Sequence, residues 1–146
     1  MPIRANLRPL YPSNWPALSR HVRFIRAAGR CQACARPHAT DLRCLPDGRW
    51  FDAQQNTWRN RRGRPAPWPD LLEATQIRTT RVSLATAHLD HDPTHNRLRN
   101  LRSLCQRCHL SHDRAHHLAQ RRLTYRSRDA IGDLWLGVYA DAARAA

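Results

Sequence analysis

The stretch that decides how this chain reads runs from Thr86 to Asp113, TAHLDHDPTHNRLRNLRSLCQRCHLSHD. Just before and into it, RVSLATAH at 81–88 places Val82, Leu84 and Thr86 on one side of an extended segment, which predicts a short strand. LDHDPTHNRLRN then reads as an irregular loop, and a helix is expected from near Cys105 to about Arg122. Seven residues of this strand-loop-helix unit can bind a metal or move a proton: His88, Asp90, His91, Asp92, His109, His112 and Asp113. Phosphodiester hydrolysis needs an activated water, neutralised phosphate charge and help for the leaving oxygen. A histidine near its ordinary pKa can take the proton from water. A divalent cation on a few His and carboxylate ligands, with open positions, can do the rest.

The same stretch holds half of the most specific structural signal. Cys105-x-x-Cys108 answers Cys31-x-x-Cys34, and two such knuckles supply the four thiolates that tetrahedral zinc takes. A structural zinc there closes a loop of about seventy residues and ties the N-terminal helix to the C-terminal half. The bland alternative is two unrelated pairs of buried thiols. Cys44 is left over, as a buried free thiol or a replacement for one of the four.

Working outward, residues 1–13 are Pro-punctuated and read as extended. A helix begins near Ser13 or Asn14, tolerates Pro16 in its first turn and stops at about Gly29. Leu18, Val22 and Ile25 form its expected buried face. Arg20, Arg23, Arg26 and Arg30 form a basic stripe, either a solvated surface or a face that tracks phosphates. LPDG at 45–48 reads as a turn, and RWF and NTW around Asp-Ala-Gln-Gln as a β-hairpin. RNRRGRPAPWP at 59–69 is a basic loop that either reaches a nucleic-acid groove or is a mobile insertion. Trp50, Trp58 and Trp68 are expected to pack rather than to stack on bases. A last helix is expected around IGDLWLGVYA at 131–140.

Composition sets the partner class. The 146-residue chain carries a net charge of +14, and all 25 of its basic residues are arginine, set against a single glutamate, Glu73. Part of that bias can reflect a GC-rich coding sequence. A field of this size still attracts polyanions, and arginine forks suit phosphate oxygens. Arg20, Arg23, Arg61, Arg62 and Arg102 are the candidate nucleic-acid contacts. The ten prolines break regular elements, so so small a core gains from a metal staple. No apolar run approaches the roughly 20 residues that span a bilayer, and the N-terminus lacks a continuous apolar segment of the secretory type. Five cysteines, an odd count, then suit metal-bound thiolates better than disulfides. The expected address is the cytoplasm, with no membrane partner.

A histidine, then Asn100-Leu101, then Leu104-Cys-x-x-Cys-His109, with an upstream C-x-x-C, resembles the HNH endonuclease family. The likeness covers about residues 15–38 and 82–117 of what reads as one domain, leaving an insertion at about 41–80 and a tail at about 123–146 outside it. It implies an α+β fold with a ββα-metal core of the His-Me finger type, an N-terminal helix, a Trp/Arg-rich insertion and a structural zinc. It also implies a hairpin and helix gripping one catalytic Mg²⁺, Mn²⁺ or similar ion, and cleavage of DNA more often than RNA. By the same likeness Asn100 braces the loop, His109 is a metal ligand and Asp113, one helical turn on, shares the ion, with His112 competing.

Two placements of the general base fit the family. His88 ends the strand twelve residues before Asn100, but Ala87 then stands where a ligand is common, and Asp90 or His91 must compensate. Alternatively Asp90-His91 supplies ligand and base, with only nine residues left for the turn. His88 is the preferred base. The rival classes are a non-catalytic zinc module that binds DNA through its arginines, and an interaction protein that docks through the Trp-rich insertion.

Overall fold

The computed structural model of the chain describes residues 5–129; the helix expected around 131–140 lies outside them. Contacts divide the chain into two compact units, residues 1–112 and 113–146. The described part of the second is the run of one long helix from Asp113 to Asp129, where His117 faces Asp113 at 3.9 Å one turn away. Everything else belongs to the first unit, a mixed α and β fold as the sequence predicts. Among the described residues no helix is long and apolar enough to cross a membrane.

Ala5–Leu10 forms a short 3₁₀ helix, not the extended segment that its prolines suggest. Helix α1, Trp15–Arg20, follows with Pro16 in its first turn, where a missing N–H costs nothing. It runs on as a π-helical segment, His21–Arg26, and closes where Gly29 N–H returns to Arg23 O at 2.9 Å. The wider turn explains a correction. Val22 is fully buried and Leu18 half-buried, but Ile25 is 72% exposed, because each π turn holds more residues and the apolar phase slips. Arg23 and Arg26 come round instead.

The middle of the chain is more regular than its sequence suggests. Strands β1 (Asp41–Cys44), β2 (Trp50–Asp52), β3 (Thr57–Arg59) and β4 (Arg78–Arg81) form an antiparallel sheet in the order β3-β2-β1-β4. The expected hairpin is its β2-β3 arm, with Phe51 opposite Trp58, and the LPDG turn closes through Gly48 N–H to Leu45 O. Trp50 and Trp58 are buried as expected, whereas Trp68 is 62% exposed. A four-residue helix α2, Leu71–Ala74, is capped at both orphan donors by Asp70 and Glu73.

The segment 81–88 is not one strand. Arg81 closes β4, and Val82 and Ser83 carry the chain across to β5, Leu84–His88, which pairs with β6, Leu101–Cys105. Their register sets Leu84 against Cys105 and His88 against Leu101. Helix α3, Gln106–Asp129, starts without a loop and runs past the expected end near Arg122. Gln106 clips the crossover, accepting from Ser83 N–H and donating to Arg81 O. Leu42 and Trp50 of the four-stranded sheet share one core with Leu84 and Leu104 of the hairpin, and the cysteines lie among them.

Candidate functional site

The knuckle after α1 is shaped by its backbone. Ala35 N–H returns to Cys31 O at 2.8 Å and Cys31 N–H goes to Arg36 O at 2.9 Å, turning both thiols inward. Gln32 then docks the knuckle on β6, with Gln32 N–H to Ser103 O and Ser103 N–H to Gln32 Oε1. Gly63, at φ +78°, lies so close that a Cβ there would come within 2.8 Å of Cys34 O, so only glycine lets this loop cover the knuckle. The sulfurs of Cys31, Cys34, Cys105 and Cys108 all lie within 4.8 Å of one another, and this cluster could hold a metal ion. Hydrogen bonds among the four thiols draw Cys105 and Cys31 below their ordinary values and push Cys34 and Cys108 above them, so the four share their protons as one group. Cys44 is not in the cluster; it sits half-buried on β1.

Residues 89–100 are laced together by side chains. Asn100 Nδ2 donates to His95 O (2.8 Å) and Asp90 Oδ1 (2.9 Å), and Asp90 N–H donates to Asn100 Oδ1. Asn100, the Asp92 N–H and His95 together hold the Asp90 carboxyl well below the usual carboxylate range. Asp90, and then Asp92, raise His95 in turn. His91 lies in the turn with φ 62°, a left-handed conformation uncommon for residues other than glycine. Its ring stacks on His112 of α3 at 4.6 Å, and the two offer ligand atoms within 4.8 Å of each other. Asp113 is the next residue of that helix. His112 Nε2 approaches the His88 carbonyl oxygen at 3.4 Å. Asp90 and His109 do not belong to the His91–His112 group; His109 is half-buried one turn earlier on α3.

His88, at the end of β5, is held on three sides. Its ring stacks on Trp15 (5.2 Å, 12° between planes), meets Tyr11 edge-on at 5.8 Å, and Nε2 lies 3.0 Å from Asn96 Oδ1. Asn96 Nδ2 donates to Pro93 O and Thr94 O, so its oxygen faces the histidine and Nε2 carries the proton. In the neutral tautomer that this contact selects, Nδ1 keeps the lone pair. Ala87, its neighbour, is buried in the core.

The arginines divide. Arg23 donates to Ser19 O and Leu84 O, and Arg26 to Leu98 O and Leu101 O, so both act as clamps on the hairpin backbone. Arg61 Nε donates to Asp47 O, while Arg20, Arg62 and Arg102 are exposed. Sequence reasoning missed Asn96, Trp15, Tyr11 and His95, each joined to the cluster through space. It also missed Arg36, a buried guanidinium 3.6 Å from Cys34 Sγ. The available signal was local: His95 and Asn96 both sit in the same His- and Asp-rich loop. Compared with protein families, curated proteins and solved structures, the chain matches none.

Proposed function

We propose that the chain is a metal-dependent endonuclease of the HNH type that hydrolyses DNA phosphodiester bonds, stapled by zinc. The four-sulfur set suits zinc, is largely buried and offers no open position, which fits a structural ion. The hairpin β5-β6 running into α3 is the ββα-metal core in this reading. The second ion, Mg²⁺, Mn²⁺ or similar, is assigned to His91 and His112. Two half-buried imidazoles leave room on the ion for water and a phosphate oxygen. Asp90, whose oxygens are already held by Asn100 and His95, suits bracing better than ligation. His112 Nε2 turned to a backbone carbonyl leaves Nδ1 for the ion, the usual outer-shell pattern. When bound, the ion would neutralise the scissile phosphate and stabilise the departing 3′ oxygen.

The observation that carries this reading is the fixed ring of His88 beside the His91 turn. With Nε2–H given to Asn96, Nδ1 can accept a water proton as the water oxygen bonds to phosphorus and the P–O3′ bond breaks. Stacking on Trp15 fixes the ring, so little orientation is lost at the moment of transfer. Ala87 faces the core, and His91 supplies the ligand that its position lacks.

The test is plasmid cleavage with Mg²⁺ or Mn²⁺, with and without EDTA, for the parent and His88→Ala. Parent cleavage that needs the ion, and a loss of about 10²–10⁴-fold in a variant that still folds cooperatively and keeps its zinc, is expected. Undiminished cutting by His88→Ala would transfer the base role to His91. Salt-sensitive gel shifts with no cutting at all would favour the non-catalytic zinc module that binds DNA.

A further inference from the structure

We infer that the cavity between β1, β4 and the start of α3 binds a phosphate monoester attached to an apolar or aromatic group, such as a mononucleotide. The cavity has a volume of about 320 Å³ and shares none of its lining with the histidine cluster. That volume sits at the lower end of small-molecule sites, roughly 300–1,000 Å³. Leu45, Pro46 and Val82 give it apolar walls. Arg36, Arg78 and Arg107 give it three guanidinium groups, and no carboxylate lines it. This sets it apart from the rest of the sheet, where Arg49 pairs with Asp47 and Glu73, and Arg59 with Asp52.

Each arginine is placed by the fold. The β1-β4 register sets Arg78 directly beside Cys44. Arg107 stands between metal-site cysteines 105 and 108, with its guanidinium over Gly48, where an added Cβ would meet it at 2.3 Å. Arg36 is only 4% exposed; it donates to Gly48 O at 3.0 Å and approaches Cys34 Sγ, but its Nε has no partner among the described residues. Native structures seldom leave a buried N–H unfilled without a reason. Burial pushes the Cys44 thiol up, against the pull of Arg36 and Arg107, and Cys105, the other cysteine of the lining, belongs to the sulfur cluster. The terminal nitrogens of Arg36 are engaged with Cys34 and Gly48 and leave only Nε, so the two open forks of the lining are those of Arg78 and Arg107. Two arginine forks suit the oxygens of a terminal phosphate, and the apolar walls favour an ester over a bare ion.

Such an ester has two sources, a free mononucleotide or the 5′-phosphorylated end of a strand. Calorimetry on the full chain, with no turnover involved, keeps the outcome independent of whether the chain cuts DNA. AMP is expected to bind saturably, more tightly than inorganic phosphate or adenosine. Arg78→Gln is expected to weaken it about tenfold, since a charge-assisted hydrogen bond contributes that much. Arg78→Gln/Arg107→Gln is expected to weaken it further, and Arg43→Gln, on the opposite face of β1, to leave it unchanged. Arg78 is exposed, so the single variant decides the matter if the double one loses its metal. A 5′-phosphate that tightens a short oligonucleotide on the parent but not on the variant identifies the strand end as source. AMP binding without that dependence identifies the free nucleotide. The site is overturned if AMP fails to saturate at millimolar concentration, or if Arg43→Gln weakens it as much as Arg78→Gln.

Discussion

The four-stranded sheet and the β5-β6 hairpin stand on one core yet find different partners for their polar groups. In the sheet, Arg59 closes on Asp52 and Arg49 on Asp47 and Glu73, while Trp50 and Trp58 are buried beneath. Most of its charged side chains meet an opposite charge, as a scaffold requires. In the hairpin, Arg23 and Arg26 reach in from the preceding helix to backbone carbonyls. The loop between its strands holds Asp90, His91, Asp92 and His95 at or near the surface, with His91 in a left-handed conformation. The sheet thus pairs its carboxylates with arginine, whereas the loop pairs Asp90 with a histidine and brings the His91 ring against His112.

Cys105 tests what the two regions share, and removing it has the largest expected effect. It ends β6 and lies in the core that both sheets cover. Cys105→Ala should release the metal and abolish cooperative folding, since zinc binding contributes about 10–16 kcal/mol in small zinc-folded peptides. Elemental analysis and a thermal melt check this. A variant that melts as the parent does, without metal, would reduce the cluster to four packed thiols.

His112→Ala is aimed at the hairpin side alone. Cleavage at fixed Mn²⁺ should fall by more than the 10–100-fold typical of a group that merely orients a ligand, and excess Mn²⁺ should restore part of it. The melting temperature should hold, because the ring is only half-buried. Full activity would return the ligand role to His109, and a collapse in stability would break the comparison.

Asp52 asks the reverse question of the sheet. Burial alone would raise its carboxyl, but the Arg59 guanidinium and the N–H groups of Gln55 and Gln54 hold it below the usual range. A depressed folded pKa means that the stabilisation is fully present above the unfolded value, about 3.9. It is lost as pH falls through the lower folded value. Asp52→Asn should therefore cost about 1–3 kcal/mol near neutrality and flatten the acid limb of a denaturant-midpoint series. Cleavage by the folded variant should match the parent.

How much of this the sequence discloses depends on how local each signal is. The two C-x-x-C pairs are legible because that spacing lets one turn aim both thiols at a single point, and the β2-β3 arm because its strands flank a short turn. Strands β1 and β4 are not: DLRC alternates over only four residues, and RTTR is exposed at every position, so neither offers a run long enough to read. The partners of His88 escape for another reason. Tyr11 and Trp15 meet it only after α1 folds back on the hairpin, a contact that no window of neighbouring residues contains. The histidine and aspartate cluster is visible as a list of side chains, but which of them meet depends on the left-handed turn at His91.

The smallest expected effect comes from the helix that grips the hairpin, where periodicity and structure disagree outright. If the 18, 22, 25 spacing set the packing, Ile25→Ser would cost as much as losing any core aliphatic, about 1.5–3 kcal/mol. In the π-helical segment Ile25 is 72% exposed, so the change should stay within about 0.5 kcal/mol. Arg26→Ala, its neighbour, removes bonds to two carbonyls and should cost about 1 kcal/mol. The order of the two effects, read from denaturant midpoints at equal m-value, is the discriminating result. Arginine worse than isoleucine means that the hairpin is clamped by donors on its backbone. Isoleucine worse than arginine restores the regular α-helical phase and returns Arg26 to the surface stripe, free to meet phosphate.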